Sequence, residues 1–361
     1  MLILLSVIAV LVIGIVLFLN QPDFGRIPRG ERLKRIENSR NYKDRKFRNF
    51  TPTSQITSDK SILYSLFDFL FRKVDDLRPK KAIPVKVTNL KEIDSHEDIL
   101  VWLGHSTIYL QLDGKRMLID PVLISASPVS FANRSFEGAD YYTPDDIPDL
   151  DYMIVTHDHW DHLDYKTIKR LKDRTGKVIC GLGVGEHFER WGFDQGQIIE
   201  LDWNETTLLN DGFRIHCLPA RHFSGRGLSA NRTLWVSYMF QSPSMNIYIS
   251  GDSGYDSHFA QIGEMFDRID LAIMENGQYD KDWKYIHMLP EQQVQAVKDL
   301  HPVRFMTYHH SKYALGLHSW YEPLDKIEEA AGRDSLKLIT PMIGQPVYLK
   351  DQSQQFEKWW K

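Results

Sequence analysis

The chain has 361 residues, and its hydrophobic content of 42% and charged content of 25% are typical of a folded protein. This composition excludes an intrinsically disordered chain, and the length suits one large domain or two small ones. The formal net charge of −4 gives no reason to expect nucleic acid as a partner.

The chain begins with an apolar segment, Leu2 to Leu19, that contains no charged residue. A helix of this length, at about 1.5 Å per residue, would roughly cross a hydrocarbon layer of ~30 Å. The alternative is a cleaved signal peptide. No Lys or Arg precedes the apolar run and no small-x-small cleavage site follows it. The sequence therefore favours an uncleaved transmembrane anchor over residues 1–19.

A basic arm is predicted over residues 20–95. Between Asn20 and Phe50 there are ten Lys and Arg against four Asp and Glu. Positive charge beside a membrane span normally stays on the cytoplasmic side, so we expect a single-pass membrane protein with a cytoplasmic catalytic domain. Residues 61–74 carry an apolar stripe at helical spacing. This predicted helix either packs on the catalytic domain or lies in the membrane interface.

Short apolar, β-branched runs separated by turns predict a folded domain over residues 96–350, which contains all the candidate site residues described next, followed by a tail over 351–361. Asp113-Gly114, between two such runs, is a strong signal for a two-residue hairpin. Strands, some running into a turn, are predicted over 99–103, 108–112, 117–121, 152–156, 178–185, 197–203, 213–219, 233–240, 245–250, 271–277 and 303–308. Helices are predicted over 163–174 and 290–300.

A metal site is predicted directly after the strand over 152–156, in the run from His157 to His162. His157 and His159 are two residues apart, so in an extended backbone they point the same way and can bind one ion. Asp161 and His162 come where the chain turns into a helix, and they can face a second ion. Asp158 is more consistent with packing or support of a ligand. Nitrogen and carboxylate ligands without thiolates suit zinc, iron or manganese in an open, catalytic site.

Three later strand ends offer further ligands. His222 follows the strand over 213–219, and Asp252 stands between glycines after the strand over 245–250. A carboxylate at the edge of a core is costly unless it is paired or bound to metal, so Asp252 is predicted to bridge two cations. The strand over 303–308 ends in two histidines, of which His309 is favoured over His310 because it follows the strand immediately.

Other residues are predicted to support the ligands or to line the substrate pocket. Asp120 ends a strand and either orients a ligand histidine or is an ordinary turn carboxylate. His105 either reaches the pocket or has a structural role. The full set predicted beside the ligands is Asp120, His105, Tyr255, Trp283, Tyr285 and His310.

The pattern His-x-His-x-Asp-His after a hydrophobic strand resembles the signature of the metallo-β-lactamase fold. This resemblance implies an α/β protein, an αββα sandwich, whose remaining ligands follow in the order His, Asp, His. One ion would then have His157, His159 and His222, and the other Asp161, His162 and His309, with Asp252 between them. Two adjacent cations lower the pKa of a bridging water, so a metal-bridging hydroxide becomes the nucleophile of a hydrolase.

Within that superfamily the chain is similar to the N-acyl-phosphatidylethanolamine phospholipase D family and its bacterial relatives. The similarity covers about Leu100 to Glu322 and rests on several short stretches in order. These are Gly104-His105-Ser106-Thr107, Asp120-Pro121, His157 to Asp164, Glu200 to Trp203, Gly251 to Tyr255, Lys284 to His287 and His309 with Tyr313-Ala314-Leu315.

That resemblance implies a phosphodiesterase with two metal ions, zinc by preference, acting on a phospholipid headgroup bond. It also implies that His287 lies near the scissile phosphate, so Asp161, Asp252 and His287 are the predicted catalytic residues. The implied partners are the phospholipid substrate and the membrane, and a homodimer is compatible with the sequence. The alternatives are a metal-dependent hydrolase of a small soluble substrate, such as a lactone or sugar phosphate, and a non-enzymatic membrane scaffold.

Overall fold

The computed structural model describes residues 2–57, 71–129, 131 and 133–361. The predicted helix over 61–74 therefore falls almost entirely outside the described residues. Seven α-helices are described: α1 Leu2–Leu19, α2 Gly30–Glu37, α3 Tyr165–Leu171, α4 Gly185–Arg190, α5 His258–Met265, α6 Pro290–Leu300 and α7 Glu322–Arg333. The first eight strands are β1 Tyr42–Lys43, β2 Lys46–Phe47, β3 Ile99–Trp102, β4 Ile108–Leu112, β5 Lys115–Ile119, β6 Leu150–Val155, β7 Thr175–Gly181 and β8 Ile198–Leu201. The later strands are β9 Thr206–Leu208, β10 Arg214–Leu218, β11 Ser237–Gln241, β12 Asn246–Ile249, β13 Leu271–Glu275, β14 Phe305–Tyr308, β15 Leu338–Ile339 and β16 Pro346–Tyr348.

Two seven-stranded mixed sheets form the body of the protein. One has the order β16-β3-β4-β5-β6-β7-β8 and the other β15-β14-β13-β12-β11-β10-β9. In each sheet an antiparallel part is continued by a parallel part, which runs from β5 to β8 in the first and from β12 to β15 in the second. Because parallel strands present their carboxyl ends at one edge, the loops after them can build a common site.

The alternation of side chains along the strands explains the layers. In β13 Leu271 and Ile273 belong to the large core that holds residues of both sheets, whereas Ala272 and Met274 face a second core with α5, α6 and α7. Side chains of a strand point alternately to opposite faces, so a strand buried on both faces reads as a continuous apolar run. The two sheets thus share one core, and helices cover the outer face of the second sheet, as in the predicted αββα sandwich.

The N-terminal helix α1 is uncharged along its 18 residues, and its side chains are largely exposed. The prediction of a transmembrane anchor over 1–19 is not confirmed, because no helix among the described residues is both long and apolar enough to cross a membrane.

The arm that follows α1 packs against the two-sheet body. Arg32 of α2 is only 10% exposed at its side chain, and its guanidinium lies 2.6 Å from carboxylate oxygens of both Glu186 and Glu200. The backbone N–H of Phe47 in β2 donates to the carbonyl of Asn231, at 2.9 Å. Residues 20–57 are therefore attached to the catalytic domain at several points, and they reach the metal-binding loops described next.

Candidate metal centre

The structure brings the seven predicted metal ligands together in two groups that share Asp252. In each group the candidate ligand atoms lie within 4.8 Å of one another. The first group contains His157, His159, His222 and Asp252, and the second contains Asp161, His162, Asp252 and His309. These residues come from the loops after β6, β10, β12 and β14, all at one edge of the sandwich.

Hydrogen bonds fix which ring nitrogens are free in the first group. His222 donates from Nδ1 to the carbonyl oxygen of Ile286, at 2.9 Å, so its Nε2 keeps a lone pair. Thr156 donates from its hydroxyl to Asp120, at 2.7 Å, and therefore accepts from Nδ1 of His157, at 3.1 Å. This leaves a lone pair on Nε2 of His157 as well. Such outer hydrogen bonds are the usual way of setting the tautomer of a metal-binding histidine.

The second group is set in the same way by Asp120. This buried carboxylate accepts from Nδ1 of His162, at 2.8 Å, and from the backbone N–H of Thr156, at 2.8 Å. His162 can thus offer Nε2, which lies 3.0 Å from Nε2 of His309 and 3.2 Å from Oδ1 of Asp252. Asp120 therefore has the position predicted for a residue that orients a ligand.

The spacing of these nitrogens fits bound cations. Nε2 of His157 and Nδ1 of His159 are 2.9 Å apart, and Nε2 of His222 lies 3.2 Å from the same Nδ1. Three imidazole nitrogens, two of them with free lone pairs, are therefore gathered where one cation could be bound by all of them. Oδ1 of Asp252 is buried and has no hydrogen-bond partner among the described residues. A buried carboxylate oxygen without a partner is costly, so the donor set suits two divalent ions of the zinc, iron or manganese type.

The electrostatics of four proposed ligands favour the forms that bind metal, whereas at His162 burial alone would lower the pKa but Asp252 and Asp120 raise it well above the usual range. Burial lowers the pKa of His157 and of His222 well below the usual range, so both rings are neutral at pH 7. Burial alone would raise the pKa of Asp161, but hydrogen bonds from His105 and His309 lower it well below its normal value. Burial opposes ionisation of Asp252 too, and the neighbouring His162 and His309 lower its pKa well below the usual range. Neutral imidazoles and charged carboxylates are the forms that ligate divalent metals.

Backbone conformation holds several site residues in strained positions. His105, Asp120 and His309 have φ angles of 51°, 46° and 71°, in the left-handed region that non-glycine residues rarely adopt. Strain of this kind persists where the surrounding structure over-determines it, and it is concentrated at functional sites. Gly251 (φ 58°) precedes Asp252, and a Cβ atom there would lie 2.7 Å from the carbonyl oxygen of Val236. Only glycine therefore allows the tight turn that presents Asp252.

His105 lies beside the second group of ligands. Its Nε2 is 3.0 Å from Oδ2 of Asp161, and its ring centroid is 4.2 Å from that of His309. Burial lowers the pKa of His105 to about 3, so the ring is neutral and supports Asp161 as a hydrogen-bond donor. The sequence left open whether this histidine reaches the pocket or is structural, and the structure places it directly behind two proposed ligands.

A cavity of about 300 Å³ opens over the metal centre. Its walls combine five proposed ligands with apolar and amide side chains and with His287. The lining residues are Gln55, Ile56, His159, Asp161, His222, Phe223, Asp252, Gln278, Trp283, Ile286, His287, His309 and Leu315. Gln55 and Ile56 belong to the arm, so the arm contributes directly to the pocket wall.

The predicted pocket residues divide into those at the cavity and those away from it. Trp283 lines it, with its ring centroid 6.4 Å from that of His287. Tyr285 stacks under the guanidinium of Arg221, 4.5 Å from Cζ to the ring centroid, outside the cavity lining. Tyr255 donates its hydroxyl to Asp299, at 2.7 Å, also away from the cavity.

The second histidine after β14 also points away from the metal centre. The ring of His310 packs on Trp102, with centroids 4.8 Å apart, and its Nε2 lies 3.2 Å from the hydroxyl of Thr307. His309 alone joins the ligand groups, in keeping with its position immediately after the strand.

Two contributors were missed by the sequence reasoning. Glu275, at the end of β13, is completely buried, and its Oε2 lies 3.5 Å from Nδ1 of His287. The strand end was recognised, but nothing in the sequence linked this carboxylate to a histidine twelve residues later. Asn49 of the arm bonds to the backbone of His222. Asn49 is a single polar residue in a basic segment, and no motif or spacing in the sequence links it to the metal site.

A two-sheet α/β sandwich with two groups of candidate ligands that share one aspartate at a single edge is the arrangement of a metal-dependent hydrolase. Residues 115–310 match the family described as "Beta-lactamase superfamily domain", and the chain belongs to the metallo-β-lactamase superfamily.

Comparison with known proteins extends this assignment. The chain is 36% identical to an uncharacterised protein of Mycobacterium tuberculosis (strain H37Rv) over 318 residues, which cover 86% of this chain and 85% of that protein. It is 33% identical to N-acyl-phosphatidylethanolamine-hydrolyzing phospholipase D 1 of Caenorhabditis elegans, over 70% of this chain and 76% of that protein. Among solved structures, isothiocyanate hydrolase from Delia radicum gut bacteria superposes with a TM-score of 0.55 and 19% identity, covering 69% of this chain and 98% of that one. This last likeness concerns the fold alone.

Proposed function

We propose that this protein is a phosphodiesterase with two metal ions that hydrolyses the headgroup bond of a phospholipid, as in the N-acyl-phosphatidylethanolamine phospholipase D family. The observation that carries the proposal is the position of Asp252 between two ligand groups at the base of a cavity that also exposes His287. The 33% identity to the enzyme of C. elegans supports the substrate class.

When bound, two divalent ions supply an acidified water and a fixed positive charge for the phosphoryl oxygens. The residues of the chain hold the ligand groups in place and set the protonation of the histidine rings. Asp252 spans both ligand groups and fixes their separation, while Asp120 and Thr156 keep His157 and His162 in the tautomers that present Nε2. The substrate phosphate is therefore oriented by groups whose positions are set before it arrives, which lowers the cost of reaching the transition state.

His287 has the properties of a general acid for the leaving oxygen. Burial would lower the pKa of His287, but the neighbouring Glu275 carboxylate raises it above the normal value. Its ring stacks on that of His309, with centroids 5.7 Å apart, and lies edge-to-face with that of His222, at 5.0 Å, so a phosphate held by the metal centre would be within reach. A protonated His287 can deliver its proton to the alkoxide of the departing headgroup.

The apolar wall suits a lipid substrate. Ile56, Phe223, Trp283, Ile286 and Leu315 line the cavity next to the ligands. Apolar side chains exclude water and accept acyl or headgroup carbon chains at the same time. We also propose that the exposed apolar helix α1 attaches the protein to lipid, since a helix that is apolar on every side is normally covered by protein or membrane.

The direct test is lipid hydrolysis by the purified full chain. Incubation with N-acylated phosphatidylethanolamine and zinc or manganese should release phosphatidic acid, and Asp252→Asn should not. The absence of turnover across a panel of phospholipids, with intact metal binding, would contradict the lipid assignment. The cavity volume of about 300 Å³ also suits a small soluble ester, so a lactone and a sugar phosphodiester belong in the same assay. Turnover of these alone would select the second function.

A further inference from the structure

A second cavity, of about 420 Å³, lies at the base of α1 and contains none of the seven proposed metal ligands. Leu19 and Phe24 form its apolar side, and the loop of residues 225–233 forms another side. Asp158 of the metal-binding loop also lines this cavity, and its carboxylate accepts from the backbone N–H of Gly225 at 2.7 Å. We refer to it as the arginine pocket because of the side chains described next.

Four of the five lining residues with a formal charge are arginines: Arg26, Arg190, Arg226 and Arg232, the fifth being Asp158. Arg26 is compensated by Glu186, at 2.6 Å. Arg190 donates to the backbone carbonyls of Asn20 and Gly25 and forms no ion pair among the described residues. Its charge is therefore solvated by dipoles and not neutralised by a carboxylate.

Arg226 is the most informative of the four. It is 4% exposed, and its guanidinium lies 4.1 Å from the ring centroid of Trp160. Its hydrogen bonds all go to backbone carbonyls, those of Asp23 at 2.9 Å, Asp158 at 2.9 Å, Leu163 at 2.6 Å and His159 at 3.5 Å. These bonds use Nε and Nη1, whereas Nη2 has no acceptor in the part of the chain that the structure describes. Arg232 likewise makes no side-chain hydrogen bond or ion pair there. A guanidinium with a free N–H group can bind an anion, and the planar fork of N–H groups suits a phosphoryl group particularly well.

The surroundings of the pocket are apolar and exposed. Leu228 is 89% exposed and Ile27 is 49% exposed, and both line the pocket. Leu17 of α1 is 66% exposed, two residues from Leu19 at the pocket edge. Positive charge is thus placed where an uncovered apolar helix meets the body of the protein. A ligand that satisfies both features carries an anionic phosphoryl group at one end and hydrocarbon at the other.

We propose that the arginine pocket binds the phosphoryl group of an anionic phospholipid whose acyl chains lie along α1. The pocket would hold a lipid that is not hydrolysed, since the metal centre opens into a different cavity. This site extends the lipid attachment proposed for α1, and it does not depend on which substrate the metal centre cleaves. It would orient the protein so that the lipid surface meets the side on which α1 emerges.

Vesicle binding by the full chain tests the proposal. The probes are vesicles of phosphatidylcholine alone and of phosphatidylcholine mixed with phosphatidylglycerol, and the variant is Arg232→Gln. We expect wild type to prefer the mixed vesicles, and Arg232→Gln to lose about tenfold in affinity for them, as for one charge-assisted hydrogen bond. Arg232→Lys should retain part of the preference. The matched control is Arg214→Gln, because Arg214 is exposed on β10 and does not line the pocket.

Two further readouts separate the outcomes. A thermal unfolding assay with inorganic phosphate tests for a site that binds free phosphate. If phosphate raises the unfolding temperature of wild type but not of Arg232→Gln, and wild type shows no preference among the vesicles, the lipid assignment is overturned. Equal losses for the Arg232 and Arg214 variants would reduce the effect to overall charge and overturn the site. Hydrolysis of a soluble phosphodiester should be the same in wild type and Arg232→Gln, so loss of lipid binding is distinguishable from loss of catalysis.

Discussion

Asn49 holds the backbone of His222 through both ends of its side-chain amide. Its Nδ2 donates to the carbonyl oxygen of His222, at 2.8 Å, and its Oδ1 accepts from the backbone N–H of the same residue, at 3.2 Å. Oδ1 also accepts from the indole N–H of Trp235, at 3.0 Å. Because Asn49 belongs to the arm, the third ligand of the first group is positioned by a segment that lies 173 residues earlier in the chain.

Asn49→Ala should weaken metal binding at the first ligand group, by about tenfold or more, as for other residues that orient a ligand. The second group, with Asp161, His162 and His309, should keep its ion because it has no contact with Asn49. Titration of metal-free protein with zinc against a chelator gives the two affinities separately. Arg48→Ala is the control, since Arg48 pairs with the exposed Asp44 and with no other carboxylate among the described residues. Equal weakening of both sites would indicate general destabilisation and contradict the positioning role.

Asp252→Asn should reduce turnover by about 10³-fold or more, because it removes the charge that spans both ligand groups. The amide has the same shape as the carboxylate, and Oδ1 of Asp252 has no hydrogen-bond partner among the described residues, so the fold should be retained. Metal content by elemental analysis should fall at both sites. Circular dichroism checks the fold. A variant that keeps both ions and wild-type turnover would rule out Asp252 as the bridging ligand.

Glu275→Gln should alter the pH dependence of the reaction. Burial lowers the pKa of His287, and Glu275 raises it above the normal value, so protonated His287 persists to higher pH than an isolated histidine. An acid with a raised pKa loses activity as the pH rises through that pKa. Without the negative charge, the pKa of His287 falls, and the alkaline limb of the kcat/KM profile should move to lower pH.

The control for this experiment is Glu291→Gln, a carboxylate at the exposed start of α6. It should leave the profile in place. A profile that is unchanged in Glu275→Gln but lost in His287→Ala would mean that His287 acts without the help of Glu275. An unchanged profile in both would remove His287 from the chemistry.

Those features of the fold that depend on local sequence could be predicted. The helix over 290–300 has the predicted bounds, with Pro290 at its first position. The Asp113-Gly114 hairpin joins β4 to β5, and both turn residues have positive φ, 45° and 73°, as a type I′ turn requires. The strand that precedes His157 and the strand that precedes His309 were recognised because each is a compact apolar run.

The rest depended on contacts between distant segments. Asn49 and Glu275 are single polar residues whose roles arise only when the chain is folded, so no spacing rule identifies them. The strands β9, β15 and β16 have only two or three residues and carry no periodic pattern. Tyr255 was predicted to support the ligands or to line the pocket, but its hydroxyl donates to Asp299, away from the cavity. Proximity in sequence to a ligand therefore does not by itself place a side chain at the site.

Gly251→Ala should destabilise the protein through the turn that presents Asp252. The backbone at Gly251 has φ 58°, and an added Cβ would lie 2.7 Å from the carbonyl oxygen of Val236 and 3.1 Å from Cβ of Thr156. The left-handed conformation alone costs about 1–2 kcal/mol for a residue other than glycine. Because the clash adds to this cost, we expect a loss of about 2 kcal/mol or more in the free energy of unfolding, measured by urea denaturation.

The same substitution at Gly196 provides the matched comparison. A Cβ at Gly196 meets nothing within 4 Å, and its φ lies outside the left-handed region, so Gly196→Ala should change the free energy of unfolding by about 0.5 kcal/mol or less. In Gly251→Ala the turn must shift, and Asp252 moves with it, so metal affinity should fall together with stability. The added Cβ would also press on Thr156, whose hydroxyl is hydrogen-bonded to Nδ1 of His157, so the clash could displace this ligand too. Wild-type metal affinity in a destabilised Gly251→Ala protein would show that the turn serves the fold and not the position of Asp252.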